Sequence, residues 1–128
     1  MKILLDTHTF IWWDSQTAKL SERALRLCQD ASNSLILSVA SAWEMQIKQQ
    51  LGKLTLHIPL SEILLSQQEV NQLHILSVNL RHILALENLP LHHKDPFDRL
   101  LAVQANVEGA VLLSCDPVFA HYPVNVIW

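Results

Sequence analysis

His92-His93-Lys94-Asp95-Pro96-Phe97-Asp98-Arg99, running on into Leu100-Leu101-Ala102-Val103-Gln104-Ala105, sets the start of a helix beside two acids. Proline is pre-shaped for the first helical position, and Asp95 immediately before it is a good N-cap. The helix is therefore expected to start at Pro96, with Asp98 in its first turn and Lys94 and Arg99 flanking the pair. Anions near a helix N-terminus are stabilised by roughly 0.3–1 kcal/mol each, so Asp-Pro-x-Asp also serves a well-capped helix with no other role. This stretch alone leaves both readings open, and the rest of the chain must decide between them.

The chain has 128 residues, half of them hydrophobic and 16% charged. That is enough for one domain, residues 1–128, with a substantial core. No apolar run reaches the ~18 residues of a membrane span. Met1-Lys2 leads directly into Ile3-Leu4-Leu5-Asp6, too short and too soon acidic for a signal peptide. Cys28 and Cys115 have no metal-ligand spacing and read as buried thiols in a reducing compartment, so a cytoplasmic protein is expected. The formal net charge of −3 argues against holding nucleic acid by a general basic surface. An enzyme that meets a polyanion through bound metal ions is not excluded. With only Gly52 and Gly109 present, no glycine-rich phosphate loop or dinucleotide fingerprint can be built.

Along the chain, Lys2–Leu5 reads as a buried first strand ending at Asp6, followed by a short helix over Thr7–Trp13. Ser21 caps a helix over about 22–32, with Leu20 and Leu25 at hydrophobic-staple positions. Leu35–Val39 is a second strand. Ser41-Ala42-Trp43-Glu44 fits a capping box opening a helix that runs to about Leu51 and stops at Gly52. Leu54–Ile58 is a short extended piece closed by Pro59. Ser61 caps a helix to about Val70, His74–Val78 is a third strand, and Asn79 caps a helix to about Asn88. The helix from Pro96 ends at Glu108-Gly109, Ala110–Cys115 is a fourth strand, and Val124–Ile127 a last one. Strands alternating with helices mean an α/β fold: a mainly parallel central sheet with helices on both faces and right-handed crossovers.

In such a sheet, sites form outside the carboxyl ends of the strands. Asp6 ends the first strand and Asp116 the fourth. Glu44 lies one turn past the second, and Asp95 and Asp98 open the helix that returns to the fourth. Each acid has a local explanation: Asp116 as a turn or cap, Glu44 as partner of Ser41. Asp6 is the hardest to dismiss, because a carboxylate ending a buried strand is costly without a partner. Together the acids gather at one sheet edge with only Lys94, Arg99 and Lys48 for countercharge. Clustered carboxylates stay ionised when a cation is present. All-oxygen ligation points to Mg²⁺ or Mn²⁺, and a pair of such ions can activate water for phosphodiester cleavage.

These residues resemble a known family. Leu4-Leu5-Asp6-Thr7-His8, Ser41-x-Trp43-Glu44 with Lys48, Asp95-Pro96-Phe97-Asp98-Arg99-Leu100-Leu101-Ala102 and Leu112-Leu113-Ser114-Cys115-Asp116 look, in order and over nearly the whole chain, like PIN-domain proteins. More narrowly they look like the VapC-type toxins of toxin–antitoxin pairs. The resemblance implies a three-layer α/β/α fold and a Mg²⁺- or Mn²⁺-dependent endoribonuclease. It carries the family's catalytic, metal-binding acids onto Asp6, Glu44, Asp98 and Asp116, with every position filled. Asp95 is an extra acid typical of a subgroup, in a supporting or merely capping role. Ser114 keeps the hydroxyl of a residue that is often Thr. The implied partners are RNA, a small antitoxin whose C-terminal segment blocks the site, and a second copy in a homodimer.

Among the other polar residues, Arg99 leaves the same helical turn as Asp98 and is a candidate substrate contact. Lys48 suits either an ordinary helix ion pair with Glu44 or RNA contact. His92 and His93 could touch phosphate or metal, or lie in an exposed loop. His8 is read as packing under the site; His57, His74, His82 and His121 show no ligand spacing and receive no role. Trp12, Trp13 and Trp43 read first as core, although two adjacent tryptophans cannot both point inward from one short helix, so one is a candidate for a partner interface. Two other functions stay open: a PIN-like module binding RNA or protein without cutting, and a Mg²⁺-dependent phosphatase. The latter lacks a second acid beside Asp6 and a clear late-strand lysine.

Overall fold

A computed structural model describes residues 1–91 and 95–128. Among these residues the sheet has five strands: β1 (Lys2–Leu5), β2 (Ser34–Ser38), β3 (His74–Leu76), β4 (Val111–Leu113) and β5 (Val126–Ile127). All pair in parallel, in the order β3-β2-β1-β4-β5. Among the described residues six α-helices cover it: α1 (Thr7–Ser15), α2 (Glu22–Gln29), α3 (Val39–Gln50), α4 (Leu60–Asn71), α5 (Leu80–Ala85) and α6 (Pro96–Glu108). The protein is a three-layer α/β/α structure with a parallel central sheet, as the alternation of elements predicts.

Successive strand residues point to opposite faces, and here both faces are buried. Ile3, Leu5, Leu35, Leu37 and Leu113 pack on one side with Phe10 of α1, Ala24 of α2, Met45 of α3 and Ile63 of α4. Leu4, Ile36, Leu76 and Leu112 pack on the other with Leu101, Ala102 and Ala105 of α6 and with Phe119. Fully burying one such large side chain contributes about 1.5–3 kcal/mol, so β1, with Ile3, Leu4 and Leu5 all within 1% of full burial, is the most firmly held strand. The chain winds outward from β1 through β2 to β3, then returns to β4 on the opposite side. The switch point therefore lies between β1 and β4, and it is there that an open parallel sheet leaves a crevice at its carboxyl edge.

α6 begins and ends as its sequence requires. Asp95 accepts from the amides of Phe97 (2.8 Å) and Asp98 (3.3 Å), Pro96 is the first helical residue, and Gly109 closes the helix in the left-handed region at φ +65°. Ser21 and Asn79 cap α2 and α5.

Several expected details differ. Ser38, not Ser41, caps α3, accepting from the Ala40 amide at 3.1 Å. β2 gives way to helix earlier than its apolar run suggests, so Ser41 lies inside α3, buried, its hydroxyl without a hydrogen-bond partner. The capping box belongs instead to α5, where Asn79 and His82 bond each other's backbone. α4 starts at Leu60 after Pro59, ahead of Ser61, and residues 54–58 join no strand. Trp12 and Trp13 are both half-buried against the core, while Trp43 is 64% exposed, its ring edge-on to Phe97 at 5.3 Å. Cys28 is buried as expected, but Cys115 is exposed. His92, His93 and Lys94, with the roles weighed for them, lie outside the described residues.

Candidate functional site

Asp6 follows β1 at the switch point and does two jobs. As N-cap of α1 it accepts the Thr9 amide on Oδ1 at 2.8 Å. Its Oδ2 accepts a hydrogen bond from the Ser114 hydroxyl. Thr9 in turn donates its hydroxyl to the Leu113 carbonyl at 3.0 Å, tying α1 to β4. The carboxylate is only 7% exposed, and these bonds are what make its burial tolerable. Across the crevice Ser114 Oγ also accepts from the Asp116 amide at 3.1 Å. Asp116 caps the short 3-10 turn over Pro117–His121, its Oδ1 accepting from Val118 at 3.0 Å. One hydroxyl thus fixes the spacing of two acids that belong to different strand ends.

α3 brings Glu44 to the same edge, with Lys48 one turn later at 3.7 Å. α6 brings Asp95 and Asp98. A cavity of about 120 Å³ is lined by Asp6, Thr7, His8, Glu44, Lys48, Asp95, Asp98 and Asp116. The residues singled out from the sequence as Asp6, Glu44, Asp98, Asp116, Asp95 and Lys48 therefore meet in one place. Arg99 does not join them; its guanidinium donates to the Pro90 carbonyl at 2.9 Å. Ser114 stands behind the acids as a buried connector. The local field is negative: the neighbouring Cys115 thiol is pushed up, first by burial, then by the charge of Asp6 and, less, of Asp116.

Among the described residues five carboxylates and one lysine line this cavity, and a cation placed there would relieve the repulsion between the acids. The donors are hard oxygens, the set suited to Mg²⁺ or Mn²⁺. Among the described residues no three His, Cys, Asp or Glu side chains stand close enough to grip one ion directly. That still fits Mg²⁺, which keeps several waters and is commonly held by one or two carboxylates together with substrate phosphate. Ser114 links the Asp6 carboxylate to the backbone amide of Asp116, so these are the two acids whose places are tied to each other.

A second buried polar cluster lies at the other end of α6, and nothing in the sequence reading singled it out. His82 is fully buried; Nδ1 accepts from the Asn79 amide at 3.1 Å and Nε2 lies 2.9 Å from Glu108. With Nδ1 an acceptor, the neutral ring carries its proton on Nε2 and donates it to Glu108. The Asn79-x-x-His82 spacing of a capping box was the signal available.

A family model described as PIN domain matches residues 3–125. The VapBC2 structure from Rickettsia felis, bound to a DNA fragment from their promoter, has a similar fold. Its TM-score is 0.74 at 18% identity, covering 99% of this chain and 98% of that one. FitAcB from Neisseria gonorrhoeae gives 0.66 at 17% identity, covering 98% and 96%. A toxin–antitoxin complex from Klebsiella pneumoniae gives 0.58 at 15%, covering 98% and 96%. At these identities the likeness speaks to fold. The sequence matches no curated protein.

Proposed function

Because this chain belongs to the PIN-domain family, we propose that it is a metal-dependent endoribonuclease and the toxin of a toxin–antitoxin pair. The observation that carries this reading is the meeting of Asp6, Glu44, Asp98 and Asp116, from four separate segments, in one cavity at the switch point of the sheet. Asp6, Asp98, Asp116 and Glu44 are the catalytic and metal-holding acids. Mg²⁺ or Mn²⁺, when bound, supplies an activated water and charge stabilisation for the leaving oxygen of the RNA phosphodiester. The chain's own part is orientation. Ser114 and the Thr9 amide aim Asp6, Ser114 spaces Asp116, and Lys48 holds Glu44 while offering positive charge to the RNA backbone. Asp95 opens α6 so that Asp98 faces the cavity. Arg99, one residue on, is a second contact for the strand once its hold on Pro90 is exchanged for phosphate.

The whole chain, 1–128, acts as one domain in the cytoplasm; among the described residues no helix is long and apolar enough to cross a membrane. Its partners are a cognate antitoxin and a second copy of itself. An antitoxin side chain of Arg or Lys placed among the carboxylates would replace the metal through short charge-assisted hydrogen bonds. Val39, Trp43, Leu80, Ile83 and Leu84 are exposed on α3 and α5 and supply apolar surface of the kind such assembly covers.

The test is paired. Expression of the wild-type chain alone arrests growth, Asp116→Ala made at the same level does not, and both co-purify with the antitoxin encoded beside the gene. Growth arrest by Asp116→Ala breaks the link between the acids and toxicity.

A further inference from the structure

We propose that the hydroxyl of Thr7 is an oxygen donor in the ligand shell of the cation held by the acidic cavity; this rests on the metal-dependent reading above and adds to it a residue outside the acids. Thr7 is the first residue of α1, 4% exposed, and it lines the cavity between Asp6 and His8. Its Oγ1 is buried and makes no hydrogen bond. The neighbouring hydroxyls are all spoken for: Thr9 bonds the Leu113 carbonyl, and Ser114 bonds both Asp6 and the Asp116 amide. At the first position of a helix there is no preceding turn whose carbonyl Thr7 could reach, the usual recourse of a helical threonine. Both oxygens of the adjacent Asp6 are already accepting from Ser114 and Thr9.

A buried unpaired hydroxyl is unfavourable for folding, and valine has nearly the same shape without it. Folding therefore gives no reason for threonine here, whereas ligand binding does. Mg²⁺ and Mn²⁺ take hard oxygen donors and retain waters, each able to donate to a hydroxyl oxygen. A neutral oxygen joins that shell without adding negative charge to a cavity that already gathers five carboxylates. Ser41 and Gln104 also carry buried unpaired atoms, but neither lines this cavity, so the inference concerns Thr7 alone.

The experiment is thermal melting of the full chain against increasing Mn²⁺, for wild type, Thr7→Val, Thr7→Ser and Asp6→Asn. The metal-free Thr7→Val protein is expected to melt at or above the wild-type temperature. Its half-maximal Mn²⁺ concentration should rise by at least about tenfold, the size of effect typical for lost support around a metal. Thr7→Ser should stay near wild type, and Asp6→Asn should lose most of the response. A wild-type Mn²⁺ response in Thr7→Val beside a lost response in Asp6→Asn overturns the role of Thr7 and leaves the metal site standing. No Mn²⁺ response in the wild type overturns both. A metal-free Thr7→Val protein that melts several degrees lower shows that the hydroxyl has a partner within the fold, which also overturns the inference.

Discussion

Ser114 donates its hydroxyl to Asp6 and, through the same oxygen, accepts the amide of Asp116, so one side chain couples two acids that are 110 positions apart in sequence. Removing it in Ser114→Ala leaves a buried carboxylate oxygen and a backbone amide short of partners. That should cost about 1–3 kcal/mol of stability, read from urea unfolding, and lower RNA cleavage by releasing Asp6. Ser114→Thr should restore both. Full activity in Ser114→Ala would show that Asp6 is held well enough by Thr9 alone.

Asp95 and Asp98 separate by task. Asp95 carries the cap of α6, and Asn caps about as well as Asp, so Asp95→Asn should melt like wild type and lose activity only in part. Asp95→Ala should cost about 0.5–2 kcal/mol. Asp98→Asn should abolish cleavage with the fold intact. Equal, complete inactivation by Asp95→Asn and Asp98→Asn would assign both acids to the chemistry.

His82 and Glu108 lock α5 to the far end of α6. The Glu108 carboxyl is held below its ordinary value of 4.5, chiefly by the hydrogen bond from His82. A carboxylate whose folded pKa is depressed adds stability above its unfolded pKa and loses it as pH falls through the folded value. Glu108→Gln should therefore lower stability at pH 7, where the contribution is fully present, and flatten the acid limb of the stability curve below about pH 4.5, where wild type and variant converge. His82→Ala, which also removes the capping box of α5, should destabilise at every pH.

The two thiols should differ sharply. Cys28 is buried, and desolvation pushes its thiol up to about 11, whereas Cys115 is exposed. Mass spectrometry after alkylation of the folded protein should show one label, on Cys115, and a second only after denaturation.

Much of this architecture is legible from local chemistry. Pro96 behind Asp95, Ser21, Asn79 and Gly109 mark helix ends by conformational preference alone. Asp6 at the close of a fully apolar strand announces a carboxylate that something must satisfy. What could not be read depends on tertiary choice. Ser38 and Ser41 are equally able to cap, and only the length over which β2 pairs with β3 decides for Ser38. The apolar alternation of 54–58 has no neighbouring strand to join. Trp43 looks like core by residue type, but it sits on the α3 face that the sheet does not cover. The bond from Arg99 to Pro90, and the burial of His82 against Glu108, join segments whose approach no spacing rule specifies.

The central claim is that the acids at the β1–β4 switch point cut RNA with a divalent ion. The direct measurement is cleavage of a total-RNA preparation by purified wild-type protein, with Mg²⁺ or Mn²⁺ and with excess EDTA, beside Asp6→Asn. The account predicts discrete cleavage that needs the ion, stops with EDTA and is absent in Asp6→Asn. Cleavage that persists in EDTA or in folded Asp6→Asn would contradict it, as would a wild-type protein that hydrolyses a phosphomonoester and leaves RNA intact.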